Sequence, residues 1–188
     1  MLHPFAKGAE KPYPPLWKRG ARGDFKVTQN INKEVGRYFQ MKKIQGKILS
    51  VNISQKKGEK KQNVICSLLM ENIGLKDDAH AESGIRQVSL LAKESIEKIR
   101  AKGLDVHYGD FAENLTTEGI DLPSLPIGTR LKVGDKVLLE VTQIGKVCHD
   151  RCNIFYTVGD CVMPREGIFV KVLSGGEVQV GDQIELAE

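Results

Sequence analysis

The densest run of reactive side chains in the chain is Gly145-Lys146-Val147-Cys148-His149-Asp150-Arg151-Cys152. Lys146, His149 and Arg151 put cations beside Cys148, and neighbouring cations favour a thiolate over a thiol. A thiolate attacks sulfur, accepts persulfide sulfur or binds a soft metal centre. The segment follows the β-rich run Val137–Ile144, which sets it at a strand end, where functional loops often lie. Two cysteines partly buried in a turn would also account for it, but the local charge favours the reactive reading. Cys161 follows nine residues after Cys152, and Cys66 stands apart. Structural zinc usually pairs two short Cys-x2–4-Cys knuckles. Here there is one C-x3-C and a lone Cys161, so zinc ranks below thiol chemistry.

Three further segments carry groups that could meet such a centre. Asp77-Asp78-Ala79-His80 leads into Arg86-Gln87-Val88-Ser89. A guanidinium beside the start of a helix favours an anion, although alone this stretch reads as a polar loop with a solvent-facing His. Gly109-Asp110-Phe111-Ala112-Glu113-Asn114-Leu115-Thr116-Thr117-Glu118-Gly119 brackets Phe111 and Leu115 with polar groups. It suits either a pocket lining or a well-capped turn. Arg165, in Met163-Pro164-Arg165-Glu166-Gly167, precedes a strand and could return to the pocket of Cys148 or form a surface ion pair.

The elements that must position these groups are mostly strands. Ile48, Val51 and Ile53 lie in a strand-like run, Lys56–Lys61 looks like a solvated hairpin tip, and Val64–Met70 is the return strand. Val137–Ile144 and Ile168–Leu173 are β-rich. Val-Gly-Asp occurs at 133–135, 158–160 and 180–182, and Gly-Asp between β-branched residues reads as strand-to-strand turn chemistry. One amphipathic helix is expected over about 88–102, with Val88, Leu91, Ser95, Ile96 and Ile99 on one face. Ser89 would cap it, Gly103 would end it, and Glu94 with Lys98 would pair on its outer face. Many short strands with one clear helix predict a mainly β fold (β with minor α), a small, partly closed β-barrel.

Composition sets bounds on function. The 188 residues are 40% hydrophobic and 28% charged, enough for one domain with a real core. Residues 1–40 hold four of the seven prolines and eight Lys/Arg against three acids. They read as a disordered or loosely attached basic extension, and residues 41–188 as the domain. The net charge of +4 therefore sits in the extension, and the remainder holds 20 bases against 21 acids. That near-neutral domain has no phosphate-tracking stripe, which argues against a nucleic-acid partner. No apolar run of about 18 residues and no leader-like h-region occur, so neither a membrane nor export is expected and the chain reads as cytoplasmic. Structural disulfides are not expected in that compartment.

Taken in order, these segments resemble the MOSC family, the module named after the C-terminal part of molybdenum-cofactor sulfurase. The likeness runs from about Gly46 to Leu186. It rests on Asp78-Ala79-His80-Ala81, Arg86-Gln87-Val88-Ser89-Leu90, Gly109-Asp110 with Glu113-Asn114-Leu115, Leu139–Lys146 with Cys148, Arg165-Glu166-Gly167-Ile168, and Gly175-Gly176 with Gly181-Asp182. The resemblance implies a β-barrel that binds the molybdenum cofactor, a phosphate-bearing pterin with dithiolene-held molybdenum. It implies a sulfur carrier, or a part of a molybdenum enzyme, whose partner is a molybdenum enzyme or a cofactor-biosynthesis protein. Cys148 would be the catalytic residue and a molybdenum ligand, and His80, Arg86, Asn114, Lys146 and Arg165 would bind the cofactor. Two alternatives stay open: a cofactor-dependent reductase of N-hydroxylated compounds, and a zinc-stabilised structural or interaction domain. Pyridoxal phosphate, bound by the desulfurase part of larger sulfurases, finds no supporting lysine context here. The chain departs from the family pattern at Asp77, where glycine is usual, and in having Cys152 and Cys161.

Overall fold

The computed structural model describes residues 45–148 and 152–187. The expected extension over 1–40, and His149 and Arg151, lie outside the described residues. The strands are β1 (Gln45–Ile53), β2 (Gln62–Val64), β3 (Cys66–Met70), β4 (Gly74–Leu75), β5 (Val88–Ala92), β6 (Leu115–Glu118), β7 (Arg130–Val133), β8 (Val137–Ile144), β9 (Ile168–Ser174), β10 (Gly176–Gln179) and β11 (Gln183–Leu186). Three α-helices are described, α1 (Lys93–Arg100), α2 (Asn153–Val158) and α3 (Met163–Glu166), with a 3-10 helix at Leu122–Ser124.

Seven strands run side by side in the order β11-β7-β8-β9-β5-β6-β1, and β1 pairs back onto β11. The ring is therefore a closed barrel, which leaves no free edge along its girth. The closing register sets Gln45 opposite Glu185 and Lys47 opposite Gln183. At its other end β1 pairs with β2, Val51 opposite Val64. β10, β3 and β4 form a small second sheet. The expected return strand Val64–Met70 is thus split at Ile65, with one part on the barrel and the other in the second sheet. β8 and β9 fall where the β-rich runs predict them.

The helix prediction is half right. Val88–Ala92 is a strand, and only Lys93–Arg100 is helical. Every residue of β5 is buried. Val88 and Leu90 face the barrel core, and Leu91 belongs to a separate cluster with Ile96, Ile99, Phe111 and Met163. A strand covered on both faces reads as a continuous apolar run, which merges with a following helix. Ser89 accordingly caps nothing; the residue before the helix is Ala92, in extended backbone without a side-chain cap. Nor do Glu94 and Lys98 pair with each other. Glu94 accepts the Gly119 N–H at 2.8 Å, and Lys98 pairs with Glu166 at 2.8 Å. α1 is the crossover between β5 and β6, which run parallel.

Two of the three Val-Gly-Asp copies are strand turns, with Gly134 and Gly181 at positive φ between β7 and β8 and between β10 and β11. The third ends a helix: Gly159, at φ +70°, is the left-handed C-cap of α2. The barrel interior is apolar, filled by residues such as Ile48, Leu90, Leu115, Leu131, Leu139, Val170 and Ile184. Among the described residues no helix is long and apolar enough to cross a membrane.

Candidate functional site

The site forms where β8 ends. Gly145 takes φ +65°, and a Cβ there would lie 2.2 Å from the Pro164 carbonyl oxygen. Only glycine allows so close an approach. The Gly145 N–H donates to the Gly167 carbonyl at 2.6 Å and the Lys146 N–H to that of Pro164 at 3.1 Å. These bonds hold the Lys146–Cys148 stretch against α3.

One pocket, of about 200 Å³, is lined by Lys61, His80, Arg86, Asn114, Lys146 and Phe169 among others. A second cavity, of about 500 Å³, is lined by Cys148, Cys152 and Cys161, with Lys60, Asp110 and Phe111. The two share Lys146, Ala112 and Met163. Ala112 stands at φ +60°, a left-handed conformation unusual for a residue with a Cβ. Its carbonyl accepts the Ser89 hydroxyl at 3.3 Å.

The floor of the small pocket is a buried polar network. Lys61 Nζ donates to Asp78 Oδ1 at 2.5 Å, and each side chain is only 1% exposed. Burial pulls the Lys61 amine below its ordinary value, against the opposing charge of Asp78. Burial alone would raise the Asp78 carboxyl. Hydrogen bonds from Lys61, the Ser54 N–H and Asn114 outweigh it and hold the group below the usual range. His80 Nδ1 lies 3.3 Å from Lys61 Nζ. Burial, then the Lys61 charge, lowers the imidazole, which is therefore neutral at pH 7 and accepts at Nδ1 from the ammonium.

Arg86 is steered from another direction. Its Nε donates to Gln143 Oε1 at 2.8 Å, and its guanidinium sits 5.4 Å from the centre of the Phe169 ring. Gln143 Nε2 in turn donates to the Gly145 carbonyl at 2.6 Å, tying Arg86 to the glycine that holds Lys146. Among the described residues neither Arg86 nor Lys146 forms an ion pair. Glu82 also lines the pocket but pairs with Lys57 at 2.9 Å, so two cations without acidic partners, and a third already paired, make the pocket positive and suited to an anion.

The remaining predicted residues are placed differently. Asn114 lines the pocket, but its amide is fully engaged within the protein. Oδ1 accepts from the Ser89 N–H at 3.1 Å and hydroxyl at 3.0 Å, while Nδ2 donates to the Asn52 carbonyl and Asp78 Oδ2. It shapes the wall. Arg165 lines neither cavity; it is exposed and pairs with Asp160 at 2.8 Å. In the Gly109–Gly119 segment the buried Glu113 carboxylate accepts from the Gly109 N–H at 2.6 Å, the Phe111 N–H and the Thr116 hydroxyl, so this stretch is a well-capped turn, and through Asp110, Phe111, Ala112 and Asn114 it also lines the two cavities. Asp77 stands at φ +62° with an exposed side chain that lines neither cavity, so it adopts the backbone a glycine would. Cys148 is exposed. Among the described residues no group of three or more His, Cys, Asp and Glu is arranged to hold a metal ion.

Sequence reading missed Lys61, which it placed in a solvated lysine run, and Asp78 as its buried partner. The lysine run holds no signal that separates Lys61 from its neighbours. Its burial is decided by Asp78 and by Gly109, whose missing Cβ admits the Lys61 carbonyl.

The MOSC domain model matches residues 77–185, more than half of the chain. The chain belongs to the MOSC domain family. This MOSC domain shares its fold with the YuaD protein of Bacillus subtilis, at 19% identity and a TM-score of 0.65, over 77% of this chain and 97% of that one. YiiM of Geobacillus stearothermophilus aligns at 19% identity and a TM-score of 0.57, over 76% of this chain and 75% of that one. YiiM of Escherichia coli aligns at 19% and 0.56, over 76% and 70%. A search of curated proteins gives no match.

Proposed function

We propose that this MOSC domain binds the molybdenum cofactor across the two adjoining cavities, and that Cys148 carries its sulfur or ligates its metal. The observation that supports this is the meeting of Lys61, His80, Arg86 and Lys146 on one pocket that shares Lys146, Ala112 and Met163 with the cavity of Cys148. The donor set fits the group. Arg86 and Lys146 would hold a terminal phosphate, Phe169 and Met163 give the pterin an apolar wall, and an exposed thiol suits a thiophilic metal. When bound, the cofactor supplies a soft metal centre at which sulfur can be exchanged or a thiolate held.

The residues of the chain do the rest. Lys61 stays charged by pairing with Asp78 and orients His80 as a neutral acceptor. Gln143 keeps the Arg86 fork turned toward the pocket. Asn114 and Arg165 take no direct part, the first because its amide is saturated and the second because it faces Asp160.

The test is the molybdenum and pterin content of protein purified from a host that makes the cofactor. Wild type is expected to carry both. Lys146→Ala should lose pterin and molybdenum together, whereas Cys148→Ser should keep pterin and lose molybdenum or transferable sulfur. Protein free of pterin, from a host shown to load another molybdenum protein, would overturn the reading.

A further inference from the structure

Three thiols line the larger cavity, and the fold sets two of them on its wall from the two ends of a helix. Cys152 precedes α2, and the left-handed Gly159 turns the chain back after one and a half helical turns, so that Cys161 returns to the cavity wall. Asp160 pins that return: its carboxylate pairs with Lys102 at 2.6 Å and with Arg165 at 2.8 Å and accepts the Cys161 N–H at 2.8 Å. Cys161 is 8% exposed, among Ile154, Val162 and Met163, whereas Cys148 and Cys152 are open to solvent. An accessible thiol backed by a sheltered one at the same cavity is the arrangement of a receiving and a resolving cysteine.

We propose that Cys152 and Cys161 form a dithiol that takes sulfane sulfur from Cys148 and releases it as sulfide. The inference rests on the proposed role of Cys148 as the sulfur-bearing thiol. In the first step the Cys152 thiolate attacks the outer sulfur of a Cys148 persulfide. The Cys148 Sγ–S bond breaks, a Cys152 Sγ–S bond forms, and Cys148 leaves as thiolate. In the second, Cys161 gives its proton to solvent and its sulfur attacks Cys152 Sγ. The Cys152–sulfane bond breaks, hydrosulfide leaves, and a Cys152–Cys161 disulfide remains. The two electrons that reduce the sulfane sulfur come from the two thiols, and a small-molecule dithiol resets the pair. Burial pushes the Cys161 thiol up to about 11, with smaller upward contributions from Cys152 and Cys148, so the second step quickens as pH rises toward that value.

The test uses the full, pre-reduced chain with glutathione persulfide as probe, excess probe removed and no reductant added. Wild type is expected to release one sulfide per chain as a Cys152–Cys161 cross-link forms, identified by peptide mass mapping. Cys161→Ala should retain the sulfur as a persulfide on Cys148 or Cys152 and lose the sulfide release. Cys152→Ser, at an exposed position that packing does not depend on, should hold it on Cys148 alone. Sulfide release by Cys152→Ser equal to wild type, or wild type that keeps its persulfide with Cys152 and Cys161 both open to alkylation, would overturn the dithiol. Cys148→Ser separates the two readings: persulfide that enters and leaves normally without Cys148 removes the role of Cys148 while the Cys152–Cys161 cross-link upholds the pair.

Discussion

Lys61 and Asp78 are a buried ion pair whose partners are best understood through what removing one would do. Lys61→Met would leave the Asp78 carboxylate buried beside only neutral donors, from Ser54, Asn114 and the His80 N–H. Stranding such a charge destabilises a fold by about 3–5 kcal/mol, and urea denaturation should read a loss of that order. The same pair governs the acid limb of stability. Asp78 titrates below its unfolded value, so its contribution is present above about pH 4 and is lost as pH falls through the lowered folded value. Glu113, raised by burial, acts in the opposite sense: its contribution is full below its unfolded value and declines as pH rises through the raised one. Denaturation measured from pH 7 downward should therefore show an acid loss in wild type that Asp78→Asn flattens. His80 gives a binding signature. Its lowered imidazole gains a proton only below about pH 6.5, and inorganic phosphate should bind the pocket more tightly there in wild type than in His80→Gln.

At the scale of elements, two backbone positions decide how the loops reach the site. Gly145→Ala would force a Cβ to within 2.2 Å of the Pro164 oxygen at a positive φ, so strand β8 and helix α3 must separate. The expected loss is about 2–3 kcal/mol, accompanied by weaker phosphate binding as Lys146 moves. Asp77 is the milder case. It holds the left-handed conformation that Asp tolerates, so Asp77→Gly should change stability by less than about 1 kcal/mol, while a β-branched Asp77→Ile should cost about 1–2 kcal/mol. Equal melting of the two variants would show that the backbone conformation at 77 carries no strain. The departure from glycine at this position is thus conformationally silent.

These elements also show which features a sequence can disclose. β8 was legible at both ends because its alternation is clean, with Val137, Leu139 and Val141 buried and Leu138, Glu140 and Thr142 partly exposed. Gly134 and Gly181 are legible as strand turns, whereas Gly159 in the same tripeptide meets its positive φ at a helix end instead. β5 is not legible, because burial on both faces erases alternation. Of the pocket, His80, Arg86 and Lys146 are legible through the MOSC resemblance, while by type alone the stretch from Asp77 to Arg86 reads as a polar loop. Lys61 is not, since its environment is assembled by residues 17 and 48 positions further on. The resemblance implies a pocket role for Arg165, yet a neighbouring acid, Asp160, decides where its guanidinium points.

For the molecule as a whole the decisive contact is β1 with β11. Removing residues 183–188 would open the ring, bare the edges of β1 and β7, and delete the fully buried Ile184. Exposed edges pair with other chains, so the truncated protein should scatter light at concentrations where the full chain stays clear. Retention of a sharp melt without self-association would show that β11 is dispensable.

The same contact sets a timetable for synthesis. Gln45 finds its partner Glu185 only after nearly every other described residue has left the ribosome. Until then β1 can bond β2 and β6 while part of its edge waits unmatched, and its ladder with β11 is among the last to zip. Contacts so distant in sequence slow folding, so the nascent chain holds an open β1 edge until β11 is made. A barrel that closes on β11 therefore favours a chaperone that shields β1 until β11 arrives.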